Sequence, residues 1–252
     1  FFFQAEDGIR IKECDWSSDV CSSDLGMASA PEAVDFYFDT MCPYAHQTSL
    51  WIREVQRLTG LRVNWKLFSL EVINHVDGKK MPWEREISYG WTPLRIAAWL
   101  RRIDNDLCGK WYLASANALH LEGQRPYEEE TARRLLATIG APDDTWTSAL
   151  ADQTTHDDVR RDHDFAVQQL GGFGVPIIVP ATGRAGFGPV IVPAPMGDDA
   201  VRLWDLVHGM AQFPHFYELK VPKTAADLTH IGDAFNPYLR AREWQTVQNP
   251  AL

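Results

Sequence analysis

The chain has 252 residues, 45% of them apolar and 12% aromatic, enough to bury a sizeable core and too many for a disordered polypeptide. A net charge of −10 argues against a nucleic-acid-binding or anionic-membrane-binding surface. No apolar run approaches the roughly 18 residues of a transmembrane helix, so neither a nucleic acid nor a membrane is expected as partner.

Residues 1–26 look foreign to the rest: they show no helical or strand period, and they lack the basic start and long apolar middle of a signal peptide. They resemble translated sequencing-adaptor read-through and are expected to be a non-native, disordered segment, with Met27 a plausible start. Setting them aside removes Cys14 and Cys21. Cys42 and Cys108 remain, too sparse for a disulfide framework, and the reducing cytoplasm is the expected compartment.

The first ordered element is a strand, where Val34, Phe36 and Phe38 alternate with Asp35, Tyr37 and Asp39. A turn at Thr40-Met41-Cys42-Pro43 leads into a helix with Trp51, Val55 and Leu58 on one face. Pro43 suits the first helical position, where its missing N–H costs nothing. Cys42 then sits at a helix N-terminus, whose free N–H groups and positive dipole end favour a thiolate over a thiol. Thr59-Gly60 stops the helix, and Leu61, Val63, Trp65 and Leu67 alternate as a second strand. Strand, helix and strand with short connections make a right-handed βαβ unit with parallel strands.

From Ser69 to Trp91 the pattern is irregular, with His75, Trp83 and Trp91 read as packing residues more than site residues. Residues 93–170 read as helices only: one marked by Ile96, Leu100, Ile103 and Leu107, a second over Trp111 to Leu121, a third opened by Pro126 and stopped by Gly140, a short piece over Asp143 to Ala151, and a last one capped by Thr155 and ending at Leu170. Sheet signals return at Val175 to Val179 and at Gly188 to Val192, with prolines confining both to edges, strand starts or bulges. A long helix follows Gly197, burying Ala200, Leu203, Trp204, Val207 and Ala211, and the tail beyond Pro222 is expected on the surface. The division expected is a sheet domain from 33–70 and 171–222, a helical domain from 71–170 inserted into it, and a tail from 223–252.

The turn Cys42-Pro43-Tyr44-Ala45 resembles the C-P-x-C active-site motif of the thioredoxin superfamily, specifically of DsbA-like proteins, with Ala45 where the second cysteine would be. The stretches FDTMCPYAHQTSLWIREV, LFSLEVIN, RPYEE, GVPIIV, FGPVIVPAPMGDDAVRLWD and FPHFYELKVP together resemble the actinobacterial mycothiol-dependent nitroreductase group within that family, over about Val34 to Pro222. The resemblance implies an α/β thioredoxin-like fold with an inserted all-helical domain, as in kappa-class transferases. It also implies Cys42 as nucleophile, position 45 as the resolving position, and a cis-proline at Pro176 whose preceding residue, Val175, pairs with substrate. A low-molecular-weight thiol, mycothiol or glutathione, would be co-substrate, with no tightly bound cofactor.

Ala45 closes the dithiol route, because an internal disulfide needs two thiols. A monothiol route survives: Cys42 attacks a small disulfide or thiol conjugate, and a second thiol molecule releases it. Around Cys42, His46 lies one turn on and offers an imidazolium, Asp39 offers to tune proton transfer, and Tyr44 offers a hydroxyl at the mouth. Cys108, beside Gly109, reads as a buried structural cysteine. His156 and His163, seven apart among acids, read as a solvated charged face and not as a metal site, and no metal is expected. No phosphate-binding glycine loop, H-E-x-x-H or G-x-S-x-G occurs. The expected function is therefore a thiol-dependent oxidoreductase or transferase, monomeric or homodimeric. The rival is a non-redox thiol-binding isomerase, similar to 2-hydroxychromene-2-carboxylate isomerase, a binding module, or a redox-inactive member on the same scaffold.

Overall fold

The computed structural model describes residues 32–241, so the readings made for residues 1–26, Cys14 and Cys21 lie outside the described residues. Strand β1 (Ala33–Phe38) leads into helix α1 (Pro43–Thr59) and strand β2 (Arg62–Leu67). β1 pairs in parallel with β2 and antiparallel with β3 (Ile177–Pro180), which pairs antiparallel with the two-residue β4 (Gly186–Phe187). The sheet order is β2-β1-β3-β4.

β1 does more than alternate. Val34, Phe36 and Phe38 enter the main core, and Tyr37, on the opposite face, is also buried, against Cys42, Phe68, Val175 and Ile177. Both faces are therefore covered where the strand delivers the chain to the Cys42 turn. The core face is aromatic: the Phe38 ring stacks on Tyr112 at 3.9 Å between centroids, and Trp65 meets Phe36 edge-on at 5.3 Å. On the other side of α1, Trp51 Nε1 donates to the Ala200 carbonyl at 2.9 Å.

Between β2 and β3 lie α2 (Leu70–Ile73), a 3-10 turn at Pro82–Glu84, and then α3 (Trp91–Ile103), α4 (Asn105–His120), α5 (Glu129–Thr138), α6 (Thr145–Ala151) and α7 (Thr154–Leu170). The outer edge of β2 is closed by side chains from these helices. Asn105 receives the Trp65 N–H and donates to the Val63 carbonyl, Asp162 receives the Leu67 N–H, and Arg101 donates to the Trp65 carbonyl. An edge strand's unpaired backbone groups are thus used up without another strand.

The periodicity through Leu107 does not hold as one helix. Asp104 is extended at φ −160°, ends α3, and caps α4 through the Asp106 N–H, because an aspartate competes for backbone donors better at a cap than inside a helix. The third helix begins at Glu129 and not at Pro126, since Tyr127 is drawn into a cluster with Met41 and Leu119. α6 starts at Thr145. Thr155 is not the cap of α7. It is fully buried, and its hydroxyl meets Arg95, whose guanidinium also donates to the carbonyls of Ala149, Leu150 and Asp152 at the end of α6. The solvated histidine face is corrected too: His156 Nδ1 accepts from Trp91 Nε1 at 2.8 Å, and buried His163 Nδ1 accepts the Ser69 N–H at 3.2 Å.

Gly188 to Val192 is not a strand. Pro189 has no N–H to give a ladder, and its carbonyl is taken by the Thr48 hydroxyl at 2.7 Å, so pairing ends at Phe187. Helix α8 (Asp198–Ala211) buries Ala200 and Trp204. The tail is not wholly a surface segment. α9 (Ala225–Ala234) is exposed, but Phe235 and, in α10 (Asn236–Ala241), Tyr238 are buried. Their rings meet Tyr44 at 5.1 Å and His120 at 4.8 Å, and two aromatics without a helical repeat leave no periodic signal. Among the described residues no helix is long and apolar enough to cross a membrane.

Candidate functional site

Cys42 is the N-cap of α1, with extended backbone (φ −85°, ψ 110°) and Pro43 immediately after it. Its Sγ accepts the Ala45 N–H at 3.4 Å, and its thiol donates to the Val175 carbonyl at 3.4 Å. The sulfur thus joins two segments 133 residues apart. The Val175–Pro176 peptide bond is cis, and both residues are buried. Ala45 is fully buried behind the sulfur, in one cluster with Tyr37, Phe68 and Val175. Tyr44 lies half-buried at the rim, its ring edge-on to Phe235.

The expected thiolate is not what this arrangement holds. Cys42 is 8% exposed, and burial pushes its thiol up to about 12, against the Ala45 and Tyr44 N–H groups that pull the other way. The charge of Asp39 raises it further. Desolvation outweighs the helix terminus here, so the thiol is protonated and spends its proton on Val175.

Asp39 is fully buried, receiving the Met41 N–H at 2.9 Å and the Leu70 N–H at 2.7 Å. Burial still raises its carboxyl to about 7, with the nearby charge of Glu71 adding to the shift. Gly90 lies against it: a Cβ there would sit 3.1 Å from an Asp39 carboxylate oxygen and 3.0 Å from Met41 Sδ. Glu71 in turn pins the 88–91 loop, accepting from the Ser88 hydroxyl and from the N–H groups of Gly90 and Trp91 at the start of α3, beside Arg85.

His46 is buried and turned to α4, its Nε2 2.8 Å from Asn117 Oδ1. Burial lowers its pKa, so the imidazolium expected beside the thiol is a neutral ring here. It stacks on His120 at 5.1 Å, and His120 Nε2 lies 2.8 Å from the Thr40 carbonyl. Thr40, Asn117, His120, Gly90 and Phe235 were not legible as site residues. They stand 51 to 191 positions from their partners among Asp39, Tyr44, His46 and one another with no motif spacing, and only the isolated histidine at the end of an apolar helix hinted at one of them. Among the described residues no three His, Cys, Asp or Glu side chains converge as a metal cage.

Comparison with known proteins bears on this geometry. The family model described as mycothiol-dependent nitroreductase Rv2466c matches residues 41–221. A Mycobacterium tuberculosis protein, "Uncharacterized protein Rv2286c", is 49% identical over 214 residues, 85% of this chain and 92% of that one. Among solved structures, the cytosolic disulfide reductase DsbM of Pseudomonas aeruginosa with GSH is 14% identical with a TM-score of 0.52, covering 70% of this chain and 99% of that one. A 2-hydroxychromene-2-carboxylate isomerase is 15% identical with a TM-score of 0.52, covering 71% and 94%. At such identities these two establish the fold, a DsbA-like thioredoxin fold with inserted helices. The chain belongs to the mycothiol-dependent nitroreductase family typified by Rv2466c.

Proposed function

We propose that this protein is a thiol-dependent oxidoreductase or transferase in which Cys42 alone is the nucleophile, acting on a small disulfide or a low-molecular-weight-thiol conjugate. The observation that carries this reading is the seating of Cys42 Sγ between the Ala45 N–H and the Val175 carbonyl beside Pro176, with an alanine side chain at the resolving position. The Cys42 sulfur attacks one sulfur of the substrate disulfide, the S–S bond breaks, and the leaving thiolate takes up a proton. A mixed disulfide remains on Cys42. A second thiol attacks it and restores the Cys42 thiol, so that one disulfide and one thiol give a new disulfide and a new thiol.

The thiol proton has a destination. Asp39, raised to about 7, is half-ionised near neutrality, and moving the Cys42 proton to it removes the carboxylate charge that disfavours the thiolate. Ionisation then accompanies substrate arrival, as the Val175 carbonyl exchanges the S–H for the incoming group. For the thiol co-substrate, Cys42, Tyr44, Val175 and Pro176 are the residues that would hold it. Tyr44 and Pro176 carry no charge, and Val175 meets the Cys42 thiol through its carbonyl at 3.4 Å, which suits a sulfur nucleophile. Mycothiol is the co-substrate the family implies, and it supplies the sulfur that releases Cys42.

Incubation with a small symmetrical disulfide, followed by intact-mass measurement, tests the proposal. An adduct mapped to the Cys42 peptide, with the intact mass of Cys42→Ser one adduct lower and the adduct released by added thiol, is the expected result; no adduct at Cys42 in the wild-type protein sinks it. The raised thiol favours one other reading, a non-redox thiol-binding isomerase or binding module, which predicts saturable thiol binding with no adduct.

A further inference from the structure

We propose that His120 is a positioning residue for the nucleophile, holding the Cys42 turn by donating its Nε2–H to the Thr40 carbonyl. The proposal rests on Cys42 being the reactive sulfur. His120 comes from the last turn of α4, is 1% exposed, and lies 2.8 Å from an oxygen that can only accept, which fixes the proton on Nε2. Thr40 is two residues before Cys42. A second strut comes from the same face of α4 one turn earlier: Asn117 receives His46 Nε2, and the His46 N–H makes the first helical bond onto the Cys42 carbonyl at 3.0 Å. α4 therefore grips the chain on both sides of the sulfur.

The grip is rigid. The His120 ring lies between His46, stacked at 22° and 5.1 Å, and Tyr238 of α10 at 4.8 Å. The groups facing this pair are Arg53 from α1, which lowers His46, Asn117 from α4, Thr40 in the turn and Tyr238 from α10. None of these groups is a carboxylate that would favour an imidazolium. Burial and the neighbouring His46 push His120 down to about 3, so the donor does not titrate across the working range of a protein. What His120 controls is position. It sets where Cys42 sits against the Val175 carbonyl, and so how tightly the thiol keeps its proton.

Carbamidomethylation rates of Cys42 as a function of pH, with Cys42→Ser as background, test this. His120→Phe keeps a ring and loses the donor; His120→Gln keeps a donor near the Nε2 position. The Phe variant is expected to alkylate roughly tenfold faster at neutral pH, as for a thiol ionising one pH unit lower. The Gln variant is expected to keep the wild-type profile. A Phe variant that melts earlier with an unchanged profile overturns the proposal, as do equal shifts in both variants. Should His120→Phe not fold, the wild-type protein decides by nitrogen-15 NMR. An exchange-protected Nε2–H tautomer at His120 is expected, and an Nδ1–H tautomer refutes it. Because alkylation reads the thiol without substrate, failure here and failure of the disulfide chemistry are separate results.

Discussion

The two described cysteines share burial and little else. Cys42 is 8% exposed and Cys108 fully buried, and in each case burial pushes the thiol up to about 12. Their surroundings differ. Cys108 lies in the first turns of α4, where its own N–H is already given to the Asp104 carbonyl, and the charges nearest it are those of Arg101, Asp162 and Arg53 at the outer edge of β2. Cys42 stands one residue before its helix, where the Ala45 N–H has no helical partner and points at the sulfur. The ionisation of a closed thiol therefore does not separate a reactive cysteine from an inert one. What separates them is whether donors wait to stabilise the thiolate once desolvation is relieved, and only the helix N-terminus supplies those.

The comparison breaks most sharply under substitution. Cys42→Ser is expected to lower disulfide-exchange rates by at least ~100-fold, to background, while Cys108→Ser leaves them within about twofold. Exchange surviving in Cys42→Ser would put the chemistry elsewhere. Next in size is Ala45→Cys. The Ala45 N–H already lies 3.4 Å from the Cys42 sulfur, so a second thiol there stands close to the first and an internal disulfide is expected on mild oxidation. It would register as loss of two hydrogens in the intact mass and as mixed-disulfide release without added thiol. The new side chain enters a fully buried site, so a stability loss of about 1–3 kcal/mol is expected alongside.

Asp39 gives a smaller, pH-dependent effect. Its carboxyl is raised in the folded protein to about 7, so the neutral form favours folding. That stabilisation is complete below the ordinary carboxyl range near pH ~4 and is lost as pH rises through about 7. Urea unfolding should show the wild-type protein losing ~2 kcal/mol of this contribution between pH 5 and 8, a slope that Asp39→Asn flattens. The same variant lacks the proton acceptor, so the fall in Cys42 alkylation below neutrality should also change shape. An unaltered stability slope would mean that the two N–H groups on Asp39 hold it ionised throughout.

Much of this site can be read from sequence because its signals are local. A strand of alternating period, a Cys-Pro pair and a helical period place Cys42 at an N-cap between Val34 and Leu58, and a proline at the head of an apolar run marks Val175 and Pro176. The failures share a cause. His46 looks like a titrating neighbour of Cys42 because it follows by one turn, yet which way it faces is decided by Asn117, 71 residues on. The split at Asp104, the buried Thr155 and the aromatic anchors of the tail likewise depend on partners that no spacing announces. The sign of the Cys42 shift was unreadable for the same reason. The helix terminus is local, but the burial that overrides it is assembled from Tyr37, Phe68 and Val175.

The smallest expected effect sharpens the contrast at Cys108. Fully buried and beside Gly109, it sits where α4 runs tightly against β2: a Cβ on Gly109 would lie 2.3 Å from Trp65 Nε1. With backbone and indole already in contact, the helix has little room to settle inward and fill a space left by the sulfur. Cys108→Ala is therefore expected to cost about 1 kcal/mol, for lost contacts and a residual cavity. Cys108→Ser should cost more, about 1–3 kcal/mol, because it buries a hydroxyl in place of a weakly polar thiol. Thermal melts of the two variants order the costs, and exchange assays on both should match the wild-type protein. If serine proves no worse than alanine, a hydrogen-bond acceptor stands next to Cys108, and its surroundings are more like those of Cys42 than burial alone implies.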